Sequence, residues 1–223
     1  MVQENEGTVQ SSAGWSPGVS SSYANGWGKI WKYFLELFLI GLVGIVIGIP
    51  SGVFGWVQGA AAAAGILGFL GFVYTILIVN PVDYGVTFAH LKAARGDKLE
   101  IKDMFQSFQN YLNAVLANLL VGVIVGIGFV LVIIPGIIFA CKLVFVPYLV
   151  VDRKMAVIEA IKESWRMTNG HAWTVFGMGL LAIPIAVVGL LCLVVGIIPA
   201  VMWIRLAFAS LYHAVSVSGE AAA

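Results

Sequence analysis

Charge is what this sequence has least of. Only 10% of its 223 residues are Asp, Glu, Lys or Arg, where a soluble globular chain carries about 25%. The 12 basic residues are balanced by 11 acidic ones, for a net charge of +1. No basic patch of the kind that grips a phosphate backbone is present, which argues against a nucleic-acid partner. Cysteine is equally scarce. Cys141 and Cys192 both lie inside apolar runs, so no disulfide framework is expected. The opening MVQENEGTVQ lacks the basic start and short apolar stretch of a cleaved signal peptide, so membrane insertion is expected to rely on internal helices.

Catalytic patterns are also missing. His90, His171 and His213 have no Cys, Asp or His at metal-ligand spacing, and no Ser/His/Asp grouping, HExxH or phosphate-cradling glycine loop occurs. We therefore expect no catalytic residues, no metal, no cofactor and no enzyme activity.

What is abundant is apolar. Hydrophobic residues make up 61% of the chain and the mean hydropathy is +0.99. An all-α, polytopic transmembrane bundle is the expected fold, since a helix needs about 20 apolar residues to cross about 30 Å of hydrocarbon. Residues 1–26, rich in Ser, Gly and Asn without apolar periodicity, read as a flexible polar tail. Residues 27–217 read as a six-helix membrane domain and 218–223 as a short C-terminal tail.

The six spans are expected in three hairpins, each turning at a proline elbow: GIPSG at 48–52, IIPGI at 133–137 and IIPAV at 197–201. Proline ends one helix and can open the next. The first pair is Lys29 to Ile49 and Ile66 to His90, with Ser51 to Gly65 as a short extra helix or outer loop. The second is Tyr111 to Ile134 and Gly136 to Val151, and the third Trp173 to Ile198 and Ala200 to Ser216. An aromatic-rich entry precedes each first helix: Trp27, Trp31 and Tyr33; Phe105, Phe108 and Tyr111; Trp165 and Trp173. The pairs look like a degenerate repeat, although proline-broken apolar sequence also resembles itself by chance and these elbows are unevenly spaced.

Ten of the 12 Lys and Arg residues lie before the first helix or between hairpins, and the elbows hold none. The positive-inside tendency then places both termini and the two long loops on the cytoplasmic side of the cell membrane. Those loops are patterned. In Lys154 to Met167, Met155, Ile158, Ile161 and Trp165 recur every three or four residues opposite Glu159, Lys162, Glu163 and Arg166. Leu99 to Phe108 repeats the pattern. Both read as interfacial amphipathic helices, seated in the headgroup region or against the bundle, or used to bind a partner.

Three ionisable residues fall inside spans. Lys142 lies ten residues before Asp152, about 15 Å from the end of its helix. Arg205 falls at a similar depth, and Asp83 lies nine residues before Lys92, about 13 Å deep. Such groups cost a few kcal/mol in lipid unless they find partners. Lys142, Arg205 and Asp83 are therefore the candidate intramembrane site for an anion or lipid phosphate. The alternative is structural: they cap carbonyls freed at the prolines, or Lys142 snorkels outward. Gly44-xxx-Gly48, Gly48-xxx-Gly52, Gly55-xxx-Gly59 and Gly122-xxx-Gly126 permit close helix contact, within one chain or between chains.

The run IIPGIIFACKLVFVPYLVVDRKMAVIEAIKESWRMTNGHAW from Ile133, with LKAARGDKLEIKDMF at 91–105, resembles a bacterial and archaeal integral membrane domain also found fused to some glycerophosphoryl diester phosphodiesterases. The shared pattern falls on Pro135, Lys142, Pro147, Tyr148, Asp152, Ala160, Ser164, Trp165, Thr168, Gly170 and Trp173. The resemblance extends over about residues 30–217 and implies a six-helix membrane domain. No stretch of the 223 residues reads as the soluble phosphodiesterase domain, so that activity is not carried over. The expected function is a non-catalytic multi-pass membrane protein that binds lipids or assembles with copies of itself or another membrane protein. The alternative is a transporter or channel for a small or lipid-like anion.

Overall fold

The computed structural model describes residues 17–57, 64–131, 133–191 and 196–221. Among the described residues there are helices and no strands. Six helical stretches of the described residues are long and apolar enough to cross a membrane: Phe34–Ser51, Gly68–Arg95, Ile101–Leu131, Ile133–Asp152, Ala172–Leu191 and Ile197–Gly219. The all-α bundle expected from composition is the observed fold, and its six candidate spans are compatible with a multi-pass membrane protein.

The chain starts earlier than its polarity implied. Helix α1 (Val19–Lys32) buries Ser22, Tyr23, Gly26 and Ile30, which corrects the expectation of a flexible tail reaching residue 26. Its docking face mixes Ser22 and Gly26 with Tyr23 and Ile30, too few apolar residues to make a periodic stripe. Asn25 Nδ2 donates to Ser210 Oγ at 2.8 Å, and the Trp203 indole N–H donates to the Tyr23 carbonyl at 2.8 Å.

Helix α2 (Phe34–Val57) carries Pro50 inside it, so the first expected elbow does not end a helix. The carbonyls around this proline have other donors: Ser51 Oγ bonds the Gly48 carbonyl at 2.7 Å and Tyr74 Oη the Ile47 carbonyl at 2.8 Å. Neighbouring hydroxyls satisfy a disturbed ladder where water cannot. Of the expected outer segment Ser51 to Gly65, residues 51–57 continue α2 and 58–63 lie outside the described residues.

The return span is one long helix with an irregular centre: α3 (Ala64–Tyr74), a π turn over Thr75–Val79, and α4 (Asn80–Arg95). Pro81 explains the irregularity, since it has no N–H to give the Leu77 carbonyl one turn back. The Tyr111 hydroxyl donates to that carbonyl instead, at 2.7 Å. Gly96, at φ 91°, ends α4, the left-handed position that suits a residue without Cβ.

Residues Ile101–Asn110 then form a 3₁₀ helix rather than the expected amphipathic α-helix. In a 3₁₀ helix, side chains three apart eclipse. Phe105, Phe108 and Tyr111 accordingly form a ladder of rings, with centroids 6.1 and 5.9 Å apart. This helix lies against α4 at Gly85, where any Cβ would overlap the Met104 backbone.

Helices α5 (Tyr111–Leu131) and α6 (Ile133–Leu143) form the second hairpin, and α7 (Val146–Asp152) continues the return span after a break. Helix α8 (Val157–Met167) precedes α9 (Ala172–Leu191) and α10 (Ile197–Ala221). Pro135 and Pro199 each stand third in their helices, so these two elbows open helices as expected. Cys192 lies outside the described residues, and Cys141 is a free thiol.

Packing concentrates at one end. Tyr212, Phe145, Leu91, Leu149, Leu206 and Leu211 are fully buried where α4, α7 and α10 meet. Of the α10 span 61% is buried, against 11% of the first span, which makes α10 the central helix. A polar layer ties this end together. Arg95 makes two bonds to Asp152, at 2.6 and 2.7 Å, and Tyr212 Oη adds a third at 3.1 Å. Lys92 pairs with Asp103 at 2.8 Å.

Candidate functional site

The three intramembrane charges do not share one site. Arg205 on α10 donates from Nη2 to Asp83 Oδ1 at 2.8 Å. Lys142 goes elsewhere: its Nζ donates to Asn169 Oδ1 at 2.6 Å and sits 5.6 Å from the centre of the Trp165 ring.

Lys142 is held by its backbone as well. The chain breaks between α6 and α7 ahead of Pro147, and the Lys142 carbonyl accepts from Ser164 Oγ at 2.7 Å and Thr168 Oγ1 at 3.4 Å. Ala160, Ser164 and Thr168, spaced four apart, are all fully buried. Helix α8 thus docks through a small, hydroxyl-bearing face. Its apolar residues Ile158 and Trp165 are 55% and 39% exposed, an outward side suited to lipid. Asn169 and Trp165 hold the Lys142 ammonium near the C-terminal end of α8, where the helix dipole favours a cation.

Asp83 and Arg205 line a groove of about 380 Å³ between α2, α4 and α10. Its walls are apolar, with Leu37, Gly41, Ile45, Val79 and Val201 among them. Sequence position explains the placement of Asp83, which stands two residues after Pro81, directly past the π turn. The Asp83 and Arg205 side chains are 52% and 37% exposed, so this ion pair faces outward into the groove rather than into the packed core.

A third polar group lines the groove, and sequence reasoning missed it. His90 is 2% exposed. Its Nδ1 lies 2.8 Å from the Val86 carbonyl. A carbonyl only accepts, so the hydrogen belongs on Nδ1 and Nε2 presents a lone pair. That Nε2 is buried without a hydrogen-bond partner, although native structures satisfy nearly all such atoms. The sequence signal available was weak: His90 follows Asp83 by seven residues, two turns along the same helix face.

A further cleft, of about 580 Å³, lies between α1, α9 and α10 and includes Trp27, Trp31 and Trp203. None of its lining residues is charged. Among the described residues, no three His, Cys, Asp or Glu side chains gather in a group that could hold a metal ion. Gly48, Gly122 and Gly126 meet nothing within 4 Å of where a Cβ would lie, whereas Gly44 faces Val86 at an ordinary 3.6 Å, so none of these four glycines makes a close helix contact inside the chain. Comparison with protein-family models, with curated proteins and with solved structures finds no match to this chain.

Proposed function

We propose that this chain is a non-catalytic lipid-binding protein of the cytoplasmic membrane, with both termini and the charged end of its bundle on the cytoplasmic side. One observation carries the reading: an apolar groove on a bundle of six candidate membrane spans is lined by a half-exposed ion pair. Ligand sites have this form, mostly apolar with a few polar groups that fix orientation. An acyl chain fits the walls formed by α2 and α10, and a polar headgroup fits Asp83 and Arg205. Lys142 is an anchor for α8 in this reading rather than a ligand for the headgroup.

The likeness to the phosphodiesterase-associated membrane domain belongs to the proposal, and the motif positions give it physical content. Pro147 breaks the helix, Ser164 and Thr168 cap the carbonyl at the break, and Asp152 takes Arg95.

Native mass spectrometry in mild detergent tests the reading. The natural chain is expected to retain lipid, the Asp83→Leu/Arg205→Leu variant to lose it, and Lys142→Met to keep it. Equal retention by the double variant refutes the site. The same spectra give the subunit number, which reports on self-assembly. A second reading, movement of the ligand across the membrane, is favoured by the π turn and Pro81 beside Asp83, since irregular helix at a charged intramembrane site recurs in transporters. Flux into liposomes that depends on Arg205 distinguishes it.

A further inference from the structure

We infer that the headgroup taken by this groove is a zwitterion with an N–H-bearing ammonium next to a phosphate, as in a phosphoethanolamine lipid. The inference rests on the lipid-binding reading above and names the ligand class for that site.

Charge complementarity comes first. A purely anionic headgroup meets Arg205 but brings its charge beside Asp83. A purely cationic one has the reverse fault, since like charges disfavour one another at this range and most strongly outside bulk water. A zwitterion laid across the pair alternates the signs: phosphate on the guanidinium, ammonium on the carboxylate. Both side chains keep enough exposure to be reached, at 37% and 52%.

His90 supplies an independent observation. Its Nε2 is an acceptor without a donor, buried in the wall of the same groove. The bond from Nδ1 to the Val86 carbonyl draws the imidazole back one turn toward Asp83. Two acceptors, Asp83 and His90, thus stand along one face of α4 within two turns of each other, about 10 Å of rise at most. A primary ammonium carries N–H bonds that either acceptor can take. A trimethylammonium carries none.

The test holds acyl chains constant and varies N-methylation. The natural chain in mild detergent is given phosphatidylethanolamine, its N-methyl and N,N-dimethyl derivatives, phosphatidylcholine and phosphatidylglycerol. Bound lipid is counted by native mass spectrometry. Retention is expected to fall as N–H bonds are replaced, with phosphatidylcholine about tenfold weaker than phosphatidylethanolamine, the scale of a hydrogen bond to a charged group lost from a buried acceptor. Asp83→Asn, which preserves the shape of the side chain, is expected to narrow that gap. Phosphatidylcholine held as well as phosphatidylethanolamine overturns the inference, and so does preference for phosphatidylglycerol; in both cases the lipid-binding reading survives. Retention of none of the five lipids overturns that reading as well.

Discussion

Removing Arg95 is the sharpest test of how the packed end of the bundle is held. Its guanidinium makes a two-pronged contact with Asp152, and the carboxylate has one further bond, from Tyr212. The Asp152 side chain is 12% exposed and that of Arg95 25%, so neither charge is freely hydrated. At an effective dielectric of about 20, opposite charges about 4 Å apart attract by about 4 kcal/mol. Breaking a buried pair costs about 3–5 kcal/mol, because the remaining charge is stranded. Discounting for the partial exposure of Arg95, we expect Arg95→Met to lose about 2–4 kcal/mol. Asp152→Asn, which keeps an acceptor for Tyr212, should lose less. The double variant strands no charge, so its loss should fall short of the sum of the single losses by about 2 kcal/mol. Unfolding midpoints in mild detergent, measured for all four proteins, complete the cycle. For a chain of this size the Arg95 variant should melt about 5–15 °C lower. Additive single and double losses would refute the claim that this pair is an energetic tie between α4 and α7.

Three further outcomes are expected. Replacing Ser164 by Ala and Thr168 by Val together should cost about 1–3 kcal/mol, because the Lys142 carbonyl loses both donors; unfolding midpoints check this, and an unchanged midpoint would mean another donor caps the break. Gly85→Ala should cost about 1–3 kcal/mol or more, since its methyl meets the Met104 backbone and the 3₁₀ helix must move; size-exclusion profiles and melting both report it. Burial pushes the Tyr23 hydroxyl up to about 12. Its folded pKa exceeds its unfolded one, so its contribution is complete below about pH 10 and declines as pH rises through about 12. The stability difference between the natural chain and Tyr23→Phe should shrink across that window, and a constant difference would contradict the burial argument.

The parts of this architecture that could be read from sequence are those with local causes. Six apolar runs give six candidate spans because length and hydropathy, both local properties, define them. Pro135 and Pro199 open helices because a proline suits the first turn wherever it falls. Pro50 could not be read the same way, since the helix continues there with help from Tyr74, 24 residues further along. Helix α1 escaped notice because Ser22, Tyr23 and Gly26 dock through fit and hydrogen bonds rather than an apolar stripe.

Within the candidate site, Asp83 and Arg205 were legible as charges where charge is costly. The depth of Lys142, counted along a straight helix, placed it with them. The count overlooked the break before Pro147 and the approach of α8, which brings Asn169 to the ammonium. His90 was illegible because its meaning is a lone pair left without a donor, and that appears only when every neighbour is in place.

The Asp83–Arg205 pair also constrains how the protein is made. Its two members stand 122 positions apart in the chain. If α4 enters the bilayer during synthesis, Arg205, the counter-charge that Asp83 meets among the described residues, has not yet been made, and each unpaired ionisable group in lipid costs about 3 kcal/mol or more. Integration of the first hairpin is therefore expected to become fully favourable only when the last helix arrives and neutralises it. Chains cut short before α10 are accordingly expected to be less stably integrated than the full chain.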